Sequence, residues 1–170
     1  RPNLGESSEK DLTYAMAKEI KTFMEWNDTR KRIIADVTKS PEYKTFCDSQ
    51  RFGDDAKRNI GIFVIPQGFT IPPECVGLIA GRLEETTDKA IIVLSQKDNG
   101  TYSGSGRCPD SIETSLHDYV KKVIEAEGLD DKVVFGGHKQ AIGISRIDPE
   151  NLDAFVSAIN KYAGNVKMSD

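Results

Sequence analysis

Four short apolar runs, residues 60–65, 90–95, 133–135 and 142–147, fix the class of fold open to this chain. Each is of strand length, is rich in Val and Ile, and ends at Pro, Gly or polar residues, as a buried strand does. Between them lie segments with helical periodicity. Residues 74–86 place Val76, Ile79, Ala80 and Leu83 on one face, and Gly77, Ala80 and Gly81 form a small-residue face suited to close packing. Residues 115–127 do the same with Leu116, Tyr119, Val120, Val123 and Ile124, and Gly128 stops the helix. A last helix opens at Asp148 and Pro149 and continues through Leu152, Phe155, Ile159 and Tyr162. Asp98-Asn99-Gly100 is a hairpin turn leading into Thr101-Tyr102-Ser103. Strands alternating with helices predict an α/β or α+β fold, a mixed β-sheet with flanking helices.

A long helix precedes this body. Ser7 or Ser8 caps it, and Leu12, Met16, Ile20, Phe23, Asn27, Arg30, Ile34 and Val37 recur at three- and four-residue steps to about Lys39, where Ser40-Pro41 ends it. Asn27 and Arg30 interrupt the stripe, which suits a connecting arm between two bodies as well as it suits a surface helix of one domain. A short helix is predicted over 42–50, followed by a polar loop to Asn59. The chain thus divides into a connecting region, 1–58, and a domain, 59–170.

With 170 residues there is room for one buried core plus an arm. No apolar run approaches the ~20 residues of a membrane helix. The net charge of −4 gives no overall attraction for a polyanion, so any phosphate binding must be local. Cys47, Cys75 and Cys108 are odd in number, widely spaced and without a CxxC pair, which points to a reducing compartment, the cytoplasm. An opening Arg1-Pro2-Asn3 reads as the start of a piece of something longer.

Two glycine-rich segments carry the chemistry: Gly104-Ser105-Gly106-Arg107-Cys108, and Gly136-Gly137-His138 followed by Lys139, Gln140, Ala141, Ile142 and Gly143. Small residues let backbone N–H groups approach an anion, Ser105 adds a hydroxyl, Arg107 adds a planar fork for phosphate oxygens, and His138 adds an imidazole. A tight turn accounts for the glycines equally well. Neither segment has the Lys-Ser/Thr ending of a P-loop or the Gly spacing of a dinucleotide fold.

These blocks, together with Val76-Gly77-Leu78-Ile79-Ala80-Gly81-Arg82-Leu83 before them, resemble the DHH-associated C-terminal domain of DHH-superfamily phosphoesterases, most closely that of RecJ-type single-strand-specific exonucleases. The resemblance covers residues 59–162, and the long first helix with Asn27, Arg30 and Lys31 is similar to the helix that joins this domain to the catalytic lobe in that family. It implies a bilobed hydrolase in which two manganese or magnesium ions sit in an N-terminal catalytic DHH lobe. It also implies that Gly104, Ser105, Gly106, Arg107, Gly136, Gly137 and His138 hold substrate phosphate. This chain has two histidines, His117 and His138, and no Asp-His-His run, so it carries no catalytic residue of its own by that pattern. Two departures stand out. Ile71-Pro72-Pro73-Glu74 replaces a Trp-His pair, and Cys108 replaces the Ser after the arginine.

The resulting expectation is a module that binds single-stranded nucleic acid, DNA before RNA, through phosphate contacts, beside a catalytic lobe and without membrane association. The alternatives are a relative acting on oligonucleotides or cyclic dinucleotides, and a non-catalytic nucleic-acid-binding or interaction module of the kind appended to alanyl-tRNA synthetases. Tyr14, Phe23 and Trp26 on the long helix offer rings for base stacking or for packing. Lys139 and Arg82 widen a positive groove or lie on a solvated surface. His117 is read as structural, and Cys108 as a thiol without an assured base.

Overall fold

In the computed structural model, residues 4–170 are described, with side chains from Thr13 onward. Two compact units divide at Arg1–Asp36 and Val37–Asp170. The first is helical and belongs to α1 (Leu4–Thr38), which opens ahead of Ser7 and Ser8; those side chains and Leu12 lie outside the described residues. Within it Met16, Ile20 and Phe23 of the apolar stripe are exposed. The Arg30 guanidinium lies 4.1 Å over the Trp26 ring, a cation–π contact, and Phe23 is 6.1 Å from Trp26.

The second unit is built on a five-stranded sheet. Its strands are β1 (Ile60–Val64), β2 (Ala90–Gln96), β3 (Tyr102–Arg107), β4 (Val133–Gly137) and β5 (Ala141–Ile147), in the order β1-β2-β3-β5-β4. β1 and β2 are parallel, joined through α3 (Pro73–Thr87), and every other pairing is antiparallel, so the sheet is mixed as the alternation of elements predicted. Pro73 opens α3 where a missing N–H costs nothing, and Asp88 in the left-handed region closes it.

Side-chain alternation separates the two faces. Ile60, Ile92, Leu94, Tyr102, Ile142, Ile144 and Ile147 point to one face. There they form the main core with Leu116, Val120 and Ile124 of α4 (Leu116–Ala126) and Phe155 and Ile159 of α5 (Leu152–Lys161). Ser115 caps α4 by accepting from the Asp118 N–H. The Tyr119 hydroxyl donates to the Ile159 carbonyl at 2.6 Å, locking α4 to α5. Asp148 does not cap the last helix. It accepts from Arg146 at 2.8 Å, and a short 3₁₀ turn, Pro149–Asn151, comes first.

The opposite face of β1, β2 and β3 is covered by α3, through the buried Val76, Ile79, Ala80 and Leu83, and by α2 (Pro41–Phe52). Tyr43 and Phe46 of α2 pack on Phe63 at 5.7 and 5.1 Å. α2 therefore packs as part of the compact unit Val37–Asp170 that contains the sheet. On β5 and β4 this same face is open: Gly136, Gly143 and Ser145 are all exposed.

Candidate phosphate-binding site on the open sheet face

The segment read as a glycine nest is a strand. Residues 104–107 lie within β3, the middle strand of the sheet, paired with β2 on one side and β5 on the other. Its backbone groups are committed to the ladders, so they do not form an anion-binding loop; the side chains carry whatever binding occurs. The reason is visible in the glycines. A side chain at Gly104 would run into the Val93 carbonyl and Leu94, and one at Gly106 would meet Ile142 and Leu116 at 2.6 and 2.9 Å. Both glycines point to the core face and exist for close packing.

Their neighbours point the other way. Ser105 and Arg107 project toward α3, where a Cβ on Gly77 would lie 3.2 Å from Arg107 Nη2 and 3.6 Å from Ser105 Oγ. The absent side chain at Gly77 lets the guanidinium lie close beneath the helix. Arg107 Nη1 donates to the Gly106 carbonyl at 2.9 Å, and among the described residues no carboxylate comes within ion-pair distance of it. It is a half-buried cation held in place with most of its five donors open.

Beside it the sheet has almost no side chains. Ser105 pairs with Gly143 and Gly143 with Gly136, forming a row across three strands, and a Cβ at either glycine would meet nothing within 4 Å. Packing therefore does not require glycine at 136 or 143, and their absent side chains leave a shallow, open floor. Gly137 is different. Its φ of 140° and the closeness of Ala141 demand glycine where β4 turns into β5.

His138 sits in that turn, exposed, with its N–H donating to the Ala141 carbonyl at 2.8 Å. Ala141 also pairs with Arg107, so His138 and Arg107 reach the same end of the sheet, although their side chains form no hydrogen bond with each other. The His138 Nδ1 accepts from the Gln140 N–H at 3.3 Å, so Nε2 is the ring nitrogen left to donate.

The charge around Arg107 is mixed. Burial, and then the neighbouring Glu85 carboxylate, hold Glu84 above the usual carboxylate range even though Arg107 pulls the other way. Cys108 is buried, and its thiol is pushed up to about 11 by desolvation first and by Glu84 second, so it is not a thiolate nucleophile near neutral pH. Arg82 lies toward Tyr43 on α2, whose hydroxyl is raised to about 12 chiefly by burial. The His117 ring stacks 5.2 Å from Phe135. Lys139 is exposed and its carbonyl accepts the Leu116 N–H.

A cavity of about 280 Å³ continues the floor away from Arg107, lined by Pro73 and Val76 of α3 and by Lys97, Ser103, Ser105 and Ser145. Lys97, Ser103 and Ser145 were not singled out from the sequence. The signal was there: in a strand, Ser103, Ser105 and Arg107 at two-residue steps fall on one face.

Residues 59–165, more than half of the chain, match the DHHA1 domain. The chain belongs to that family. The DHHA1 domain is the C-terminal domain of DHH-superfamily proteins, and its sheet architecture recurs among solved structures. RecJ from Thermus thermophilus in complex with Mg2+ superposes with a TM-score of 0.61 at 18% identity, over 86% of this chain and 20% of that one. The same enzyme in complex with Mn2+ gives 0.57 at 18% identity, over 86% and 19%. A DHH domain from a member of the s1p family of ribosomal proteins gives 0.54 at 18% identity, over 86% and 33%. At such identity the likeness is one of fold, and this DHHA1 chain spans about one fifth of the RecJ chain. No curated protein matches it in sequence.

Proposed function

We propose that this DHHA1 domain is the substrate-binding part of a metal-dependent phosphoesterase, a RecJ-like exonuclease acting on single-stranded DNA. The observation that carries the reading is Arg107, a cation without a carboxylate partner among the described residues, set at the edge of a floor that Gly136 and Gly143 keep clear. A phosphodiester laid on that floor meets the guanidinium fork, the Ser105 hydroxyl and, from the β4–β5 turn, the imidazole of His138. These groups bind and orient the backbone. They do not cleave it.

Among the described residues no group of three or more His, Cys, Asp or Glu side chains could hold a metal ion. The described residues do not fit a two-ion centre, and no chemical step is assigned to them. In this reading manganese or magnesium belongs to an N-terminal catalytic DHH lobe, and the domain works against that lobe. A reducing, cytoplasmic setting accords with Cys75 and Cys108 being buried free thiols, and no described helix is long and apolar enough to cross a membrane.

The test uses the full product of the native gene and follows manganese-dependent release of nucleotides from labelled single-stranded DNA. R107A is expected to raise KM, lower turnover, or both. Unchanged kinetics in R107A would remove the proposed site, and no hydrolysis by the intact product would remove the enzyme reading and leave a nucleic-acid-binding module. Activity confined to very short substrates would instead mark an oligonucleotide or cyclic-dinucleotide phosphodiesterase.

A further inference from the structure

The floor has a second cationic end. Lys97 directly follows β2, and its Nζ donates to the Ser145 carbonyl at 3.1 Å. That carbonyl is available because β5 bulges there. β3 pairing passes from Ile144 opposite Gly104 to Ile147 opposite Tyr102, and β4 pairing passes from Ile144 to Arg146, leaving Ser145 unpaired on both sides. Bulges of this kind re-aim a side chain and interrupt a ladder locally. Here the bulge anchors an exposed lysine, which among the described residues forms no ion pair, not even with the adjacent Asp98. With one donor used on Ser145, two N–H donors of the ammonium remain. Ser103 and Ser145 line the same cavity.

We infer that Lys97, Ser103 and Ser145 form a second phosphate subsite, so that the cleft grips a nucleic-acid strand at two separated phosphates, at Lys97 and at Arg107. This rests on the phosphate-binding reading of Arg107. Ser103 and Arg107 are four residues apart on one strand face, which sets the two ends about 14 Å apart at ~3.4 Å per residue. One phosphate cannot touch both; a strand of several nucleotides running along the open face of β5, beside β3, can. Beyond Lys97 an adjoining cavity of about 220 Å³, lined by Phe69, Thr70 and Ile71, gives the strand room to continue.

The test is fluorescence anisotropy with the whole chain, using a labelled oligothymidylate in the range of about 4–16 nucleotides, with unlabelled thymidine monophosphate as competitor. K97A is expected to weaken oligothymidylate binding about tenfold. It should also flatten the dependence of log K on log salt by about 0.7, the share of one phosphate contact on a single strand. Competition by the monophosphate at the Arg107 end should be unchanged, and K97R should restore the oligonucleotide affinity. Because Lys97 is exposed, folding is checked by an unchanged thermal midpoint. Loss of binding in R107A with K97A like wild type would overturn the second subsite and leave the first. Unchanged binding in R107A would overturn the phosphate-binding reading itself. A K97A effect of equal size on the monophosphate would also overturn the inference, because it would make the two ends a single site.

Discussion

Gly104 and Gly143 lie on adjacent strands and answer to different constraints. Gly104 is pressed against the Val93 carbonyl, whereas Gly143 faces open space. Gly104→Ala should therefore destabilise the protein by at least about 1–3 kcal/mol, the cost of overpacking, as a fall in the denaturant midpoint would show. Gly143→Val should change stability by no more than about 0.5 kcal/mol, since it is an exposed strand position. It should nevertheless weaken oligonucleotide binding at least about tenfold, a loss of ~1.4 kcal/mol in binding, because it raises a side chain on the floor. Wild-type affinity in that variant would show that the strand does not lie across Gly143. Glu84 belongs to the same scale. Its folded pKa is raised, so its contribution to stability is fully present below the unfolded value of 4.5 and is lost as pH rises through the folded value. E84Q should match wild type in acid and become relatively more stable above that window in thermal melts. Over the same window, ionisation of Glu84 beside Arg107 should weaken phosphate binding in wild type and not in E84Q.

At the scale of elements, α2 is fastened to the sheet by more than aromatic packing. The buried Lys89 donates to the Gln50 carbonyl at 2.8 Å, to its side-chain oxygen at 3.2 Å and to the Asp55 carbonyl at 2.9 Å, and desolvation lowers the pKa of its ammonium. K89A should cost about 1–3 kcal/mol by leaving those acceptors unpaired. Hydrogen exchange should show the loss first in α2. Uniform protection across the sheet and α2 would contradict this role. These elements were largely legible in the sequence, because apolar periodicity and stops such as Ser40-Pro41 and Gly128 are local signals. β3 was the exception. Gly104 and Gly106 resemble a turn by composition, and only the long-range contacts with Leu94, Leu116 and Ile142 show why a strand needs glycine there. Reading them as a loop assigned anion binding to the backbone instead of to the face shared by Ser103, Ser105 and Arg107. The bulge that presents the Ser145 carbonyl to Lys97 depends on pairing with two other strands and has no local signature.

For the molecule as a whole, a net charge of −4 means that binding depends on where the cations are rather than how many there are. The sheet separates two tasks by face. The α4–α5 side holds the core and the stability, and the opposite side leaves β5 and β4 bare between Lys97 and Arg107. The most direct measurement is to titrate oligothymidylate into the isotope-labelled chain and follow the backbone amide resonances. The account predicts that shifts concentrate at residues 97, 103–107, 136–138 and 141–145, with α4 and α5 silent. Shifts centred on α4 and α5, or no shifts at concentrations that saturate anisotropy, would contradict it.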